Sequence, residues 1–448
     1  MINKQQLETL CNKYRTSMLE AEQFIFTHGE TGFKEWETTA YMESAFRSLG
    51  YTVTPAGNIP GFTADLDFGA PGPKLLILAE LDALFMPAHY AHNPDNGAAH
   101  ACGHHAQCAA LIGVASILRE EIVSNRLCGS VRFAAVPAEE LIELEYRKTL
   151  IESGLIHYPA GKAEFLYRNM FKDCQIAILV HTLPEPEEGI RIFGGCNGCI
   201  IKNPVFHGVS SHAGAAPENG VNALYAASLA LQASNALRET FRDEDYIRFH
   251  GIITDGGASA NSIPDRVGME AYVRAKTVDS LTLTNRKINR AMSCCAAALG
   301  ARLTIQDTHG AFPLENAPAL ISLAETLKPT LHIPLTCDWS NWRASCTDMG
   351  DLSQLMPTLQ AYAGGGCNPL HSDSFFIKNP ETAVLGAAAF QVQMVQCLLS
   401  DGADKAQRII DTYQPKFADA ADYLRAVDSI SRSFHSVSHL NDEIMITL

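Results

Sequence analysis

Three short, largely apolar runs constrain this chain more than any other feature. KLLILAE (74–80), SVRFAAV (130–136) and IAILVH (176–181) are each of strand length and are separated by stretches with helical apolar spacing. A run that is apolar on both faces must be covered on both faces, which is the condition of a strand in a parallel α/β sheet. In open sheets of that kind ligands bind beyond the C-terminal strand ends. Each run here ends in residues that carry chemistry: Glu80 and Asp82 after the first, Glu139 and Glu140 after the second, His181 closing the third.

ACGHHAQ (101–107) adds a thiol and an imidazole two positions apart, Cys102 and His104, where a Pro-, Asn- and His-rich loop gives way to an apolar, helix-forming stretch (108–118). A thiolate at a helix start is stabilised by the helix N-terminus and by a cation, which lowers its pKa enough to ligate. Alone, such a pair reads as core packing. With three strand endings pointing to the same place, it reads as part of a shared site. His371, in NPLHSD after a Gly-rich turn, stands where a loop delivers a ligand from the far end of the chain. Cys102, His104, Glu140, His181 and His371 together offer S, N and O donors suited to zinc, manganese or another borderline dication. Side chains adjacent at a strand end diverge, so one of Glu139 and Glu140 can bind metal while the other faces substrate water. The blander reading of that pair is a solvated acidic loop. His89, His92 and His100 read as rim residues, and Cys196-x-x-Cys199 lacks the second pair of a structural zinc site.

The formal charge of −15 repels nucleic acid and anionic membrane, so neither is expected as a partner, and an anionic substrate needs a local cationic handle. No apolar run is read as approaching membrane-spanning length. Thirteen scattered cysteines, and an opening helix with Leu7, Leu10, Cys11, Tyr14 and Met18 on one face, read as a reduced, cytoplasmic protein.

At 448 residues the chain is long enough for two or three domains. Past the link LPEPEEG the pattern changes: strand (200–208), helix (221–238), two strands (247–253, 267–275), helix (283–299) and strand (302–306). That order predicts an inserted two-layer α/β, ferredoxin-like domain over 196–310, with 1–195 and 311–448 forming one catalytic domain around a mixed, largely parallel sheet. Helices are expected from 382 to the end.

HGETGFKEWETT, AELDALF, HACGHHAQ, VPAEE, the lone His181, HGVSSHAGAAPENGVNA, GGASANSIPD followed by Arg274, and TDMGDLSQLMP with LHSD occur in that order. The series resembles the dinuclear metallopeptidases of the aminoacylase and carboxypeptidase G type. It is most similar to the amidohydrolase branch that contains aminobenzoyl-glutamate hydrolase subunits and plant auxin-conjugate hydrolases. The resemblance implies a zinc-exopeptidase-like fold and two divalent metals, manganese or zinc, per subunit of a homodimer. It implies Cys102, His104, Glu140, His181 and His371 as ligands, Glu139 as general base and Asp82 as an acid orienting a ligand. In the inserted dimerisation domain it implies His212 at the substrate carbonyl, and Asn261 and Arg274 at a substrate carboxylate. The expected activity is metal-assisted hydrolysis of an N-acyl or N-aroyl amino acid or a dipeptide. The alternatives are a degenerate, binding-only member and a hydrolase with Cys102 as nucleophile. His105 stands where the branch usually has Asp or Asn, Gln107 where it often has His, and Glu80 where distant relatives have a ligand His.

Overall fold

The computed structural model describes residues 1–185, 189–440 and 443–447, so 186–188 of the LPEPEEG link lie outside the described residues. The chain divides into two compact units: Met1–Gly195 with Glu315–Trp342 and Asp351–Ala420, and Cys196–Leu314 with Arg343–Gly350 and Ala421–Leu448.

The larger unit is built on a nine-stranded sheet. Its centre is parallel: Lys74–Glu80 pairs with Ser130–Val136 on one side and Cys174–Thr182 on the other, and Cys174–Thr182 pairs with Thr358–Ala363. Antiparallel pairings close both sides, Phe62–Asp67 against Ser130–Val136 and Ile190–Cys196 against Thr358–Ala363. The apolar runs behave as their composition requires, since Leu75 to Ala79 and Ile176 to Leu179 are buried. They pack in one core with the wholly buried helices His104–Leu118 and Ala387–Leu399 and the inner face of Lys4–Thr27.

One expectation about this unit fails. Glu381–Leu399 runs 19 residues at mean hydropathy 1.5, long and apolar enough by composition to cross a membrane. It is buried inside the unit, as expected of a core helix covered by sheet and neighbouring helices.

The smaller unit has the β-α-β-β-α-β order of a ferredoxin-like layer. Its antiparallel sheet runs Arg248–Asp255, Arg266–Ala275, Gly198–His207, Arg302–Ala311, and helices Ala223–Ala236 and Val278–Ala298 share a core with it. The expectation of helices to the chain's end is corrected here. After Ala420–Ile430 the chain forms strand Arg432–Leu440, which pairs with Arg302–Ala311, and then Glu443–Ile446, which pairs with Arg432–Leu440. Without that pairing Arg302–Ala311 would leave an edge of unpaired backbone groups; Arg432–Leu440 covers it, and Val437 joins the core there. The 311–448 segment is therefore shared between the units, with 343–350 and 421–448 in the smaller one.

An ion pair sits inside that small core. Lys202 and Asp307 are both buried and hydrogen-bonded, Lys202 Nζ also donates to Asn285 Oδ1 at 2.8 Å, and Asn285 and Asn289 donate to Asp307 Oδ2 at 2.7 and 3.1 Å. Removing one member leaves a buried charge unpaired, which costs about 3–5 kcal/mol. Lys202→Met is expected to lower the urea midpoint of the full chain accordingly, and Lys202→Met with Asp307→Leu to cost less than the single change. A midpoint unmoved by Lys202→Met would refute this account of the core.

Candidate metal centre

Because the three central strands run parallel, their C-terminal ends lie on one side, and the sequence there supplies Glu80, Asp82, Glu139, Glu140 and His181. Helix His104–Leu118 starts beside them. Its cap, Gly103, has φ +85°, and a Cβ there would come within 2.7 Å of the Thr182 side chain. Glycine thus lets the helix start close against the strand end that carries His181, and Cys102 Sγ lies 3.5 Å from His181 Nε2. His371 comes from the loop after Thr358–Ala363. Its N–H donates to Ala101 O at 2.8 Å, its φ is +61°, and its side chain is half-exposed.

Three donor groups result, with the ligating atoms of each within 4.8 Å of one another: Cys102, His104 and His181; Cys102, Glu140 and His371; Glu80, His104 and Glu139. The first two share Cys102. His371 Nε2 is 3.0 Å from Glu140 Oε1, and His104 Nε2 is 4.0 Å from Glu139 Oε2. The supporting contacts orient the donors. His104 Nδ1 donates to Asp82 O at 2.8 Å and lies 3.3 Å from Asp82 Oδ1, and His181 Nδ1 donates to Thr182 O at 2.8 Å, so both rings present Nε2 to the centre. The Glu140 N–H donates to Asp82 Oδ2 at 2.8 Å.

These residues fit a dication. His104 Nε2 and Glu140 Oε1 are buried without a hydrogen-bond partner, although charged groups lie within 3.2 Å of each. Polar atoms so placed cost free energy unless something completes them, and mixed S, N and O donors are those that borderline dications take.

Burial and charge oppose each other throughout the site. Burial pushes the Glu80 carboxyl up, but Lys162, His104 and His181 outweigh it and hold it at about 2. Burial likewise opposes ionisation of Glu140, and His371 overcomes it, again to about 2. Burial lowers His181 to about 4, against the pull of Glu80, which leaves the ring neutral and ligand-competent. Burial and Glu140 push the Cys102 thiol well up despite His104, so ligation by Cys102 must release a proton. A free nucleophilic thiolate at Cys102 is disfavoured for the same reason.

Sequence reasoning missed two cations. Lys162, fully buried, places Nζ 2.7 Å from Glu80 Oε1. Gln107 completes that carboxylate, donating to Oε2 at 2.8 Å and accepting the Glu80 N–H at 3.2 Å, so Glu80 is held by neutralising partners. Arg147, also buried, donates to the backbone carbonyls of Glu140 and, at 2.7 Å, of Pro159, clamping the loop that carries both glutamates. Nothing local in the sequence marks either residue.

The neighbouring histidines stand apart. His105 Nε2 is 3.3 Å from Glu22 Oε1, its ring packs on Phe26 and His100, and His89 Nε2 donates to Phe375 O at 2.8 Å. Among the described residues none of His89, His92, His100 or His105 joins a donor group, and neither Cys196 nor Cys199 does.

The other selected residues lie in the smaller unit. His212 Nδ1 accepts the N–H groups of Gly214 and Ala215 at 3.2 and 3.0 Å, which puts the proton of the neutral ring on Nε2. That nitrogen is 3.4 Å from the side-chain amide of Asn261, and both residues are exposed. Arg274 lies 3.5 Å from Cys346 Sγ.

Residues 193–293 match the peptidase dimerisation domain family of the M20 peptidases. The chain is 24% identical to N-acetyl-L-cysteine deacetylase of Bacillus subtilis over 84% of its own length and 86% of that protein. It is 29% identical to a p-aminobenzoyl-glutamate hydrolase polypeptide of Escherichia coli over 56% of its length and 49% of that protein. Its fold is similar to a Bacillus subtilis dinuclear metal binding peptidase of the M20 family, with a TM-score of 0.68 at 20% identity over 87% and 99% of the two chains. The chain thus carries a segment matching the peptidase dimerisation domain and is similar to M20 hydrolases over much of its length. The matched dimerisation segment falls almost wholly in the smaller unit, and the donor groups found among the described residues all fall in the larger one.

The pKa directions carry a sign. Glu80 and Glu140 sit at about 2 against an ordinary 4.5, so the stability they contribute is fully present above about pH 4.5 and lost as pH falls toward 2. Thermal melts of chelator-treated protein are expected to show the midpoint dropping across that window. A midpoint indifferent to it would contradict the charge balance drawn here.

Proposed function

We propose that this chain is a metal-dependent amidohydrolase that cleaves the amide bond of small N-acyl or N-aroyl amino acids, aminobenzoyl-glutamate-like compounds among them, or of dipeptides. The observation that carries the reading is the pair of donor groups sharing Cys102, with the Glu139 carboxylate at their edge. Relatives named for removing an acetyl group from N-acetyl-cysteine and for hydrolysing p-aminobenzoyl-glutamate support the substrate class.

In this reading Cys102, His104, Glu140, His181 and His371 hold two divalent ions, manganese or zinc. When bound, the ions supply Lewis acidity that makes water a nucleophile at neutral pH and polarises the acyl carbonyl. Glu139, at the edge of the donor groups with Oε2 4.0 Å from His104 Nε2, takes the proton of the attacking water and passes it to the leaving nitrogen. Asp82 fixes the His104 ring, Lys162 neutralises Glu80, and Arg147 keeps the loop of Glu139 and Glu140 in place. His212, with its proton on Nε2, donates to the oxyanion of the tetrahedral intermediate, and Asn261 and Arg274 bind the substrate carboxylate. The dimerisation domain makes a homodimer part of the same reading, in a reduced, cytoplasmic setting.

Hydrolysis of a panel of N-acetyl, N-benzoyl and aminobenzoyl amino acids and dipeptides, with bound metal quantified, tests the reading. Glu139→Ala is expected to lower kcat by about 10²- to 10⁴-fold while metal content holds. Metal bound without turnover on any substrate would favour a binding protein for acylated amino acids, the reading that the His105 and Gln107 departures would suit. Failure to bind metal after reconstitution would sink the proposal.

A further inference from the structure

The smaller unit contains a thiol pair that the proposed reaction does not use. Cys199 on strand Gly198–His207 lies directly opposite Arg274 on Arg266–Ala275, so the two side chains leave the same face of the sheet. The segment Arg343–Gly350 belongs to this unit, and its start is tied to the sheet by the Asn197 N–H, which donates to Arg343 O at 3.0 Å. From that segment Cys346 reaches the pair: Arg274 Nη1 donates to Cys346 Sγ at 3.5 Å, and the Cys199 thiol hydrogen-bonds the same sulfur. Every cysteine of the chain is a thiol in the structure.

The two sulfurs differ in kind. Cys346 is only partly buried, and it receives two donors, one a guanidinium, an arrangement that stabilises a thiolate. Cys199 is fully buried, and its hydrogen bond to Cys346, together with burial, pushes its thiol up so that it keeps its proton. A partly accessible thiolate backed by a protonated buried thiol is the division between attacking and resolving cysteines. A cation is a poor alternative occupant, because the Arg274 guanidinium already supplies positive charge there.

We propose that Cys346 and Cys199 form a thiol–disulfide exchange site that takes a low-molecular-weight disulfide such as oxidised glutathione and, when oxidised, releases Arg274. The Cys346 thiolate attacks one sulfur of the reagent, forming a mixed disulfide and expelling one reagent thiolate, which is protonated by water. Cys199, giving up its proton, then attacks Cys346 Sγ, closes the protein disulfide and expels the second reagent thiol. The two protein sulfurs lose two electrons in all, and the reagent disulfide gains them. A neutral disulfide sulfur is a weaker acceptor than a thiolate, so the hold of the thiols on Arg274 slackens and the Tyr272 ring, 5.7 Å away, is left as its partner. The effect on activity rests on the proposed role of Arg274 at the substrate carboxylate. The disulfide itself does not.

The experiment uses the full-length, metal-loaded protein, treated with oxidised glutathione, alkylated and mapped by peptide mass spectrometry, with kcat and KM measured on the same samples. A Cys199–Cys346 linkage is expected, with KM for an N-acyl amino acid raised roughly tenfold, kcat little changed, and both effects reversed by dithiothreitol. Cys346→Ser should form no linkage, and its KM, whatever its starting value, should not change on glutathione treatment. Two alkylatable thiols, a lasting glutathione adduct on Cys346, or a Cys196–Cys199 linkage would overturn the proposal. So would a linkage that leaves KM unmoved, or a KM rise that persists in Cys346→Ser. If no substrate is turned over in either state, the hydrolase reading falls, and the peptide map still decides the thiol pair.

Discussion

The larger unit depends on how it neutralises the acids gathered beyond its parallel strand ends. Glu80, Asp82, Glu139, Glu140 and the Cys102 thiol converge there because parallel strands finish on one side, and burial opposes ionisation of the groups that must be charged. At an effective dielectric of about 20, two unit charges 4 Å apart interact by about 4 kcal/mol, against a whole-domain stability of about 5–15 kcal/mol. The charge balance is therefore of the same order as the stability of the fold. Lys162 answers Glu80, His371 answers Glu140, and Arg147 secures the backbone between Glu140 and Pro159. A cation at the Cys102 groups would complete the donors left without partners.

Much of this was legible in the sequence, for a physical reason. Strands covered on both faces must be apolar throughout, so KLLILAE and IAILVH announce themselves, and the residues that follow them are placed by topology alone. Cys102 and His104 were found because a helix start is a local signal. Lys162 was not, because it lies 82 residues from Glu80 and its burial exists only once the fold does. Arg147 was missed for the same reason, since a basic residue in a charged stretch reads as a solvated face. Glu381–Leu399 was expected as a helix, but its membrane-spanning apolar length escaped because glutamines interrupt it, which the core accepts.

The smaller unit teaches a different lesson. Its four-strand core was readable from periodicity, but the strands that extend it were not, since Arg432–Leu440 owes its conformation to a partner strand far away in sequence. Around His212 the informative quantity is the tautomer: two backbone N–H groups on Nδ1 leave one way for the neutral ring to carry its proton. A motif can name the histidine, and only the hydrogen bonds of its loop assign the nitrogen.

The late pairing of Arg432–Leu440 with Arg302–Ala311 also bears on how the protein is made. As the chain leaves the ribosome, Arg302–Ala311 can pair at once with Gly198–His207, yet its other edge must wait while a long further stretch is synthesised. Through that interval a nascent sheet presents unpaired backbone to its surroundings, the condition under which neighbouring chains on one message add strands to each other. A ribosome stalled after the ferredoxin-like core would therefore release a product that looks folded by its core and is still adhesive along one side.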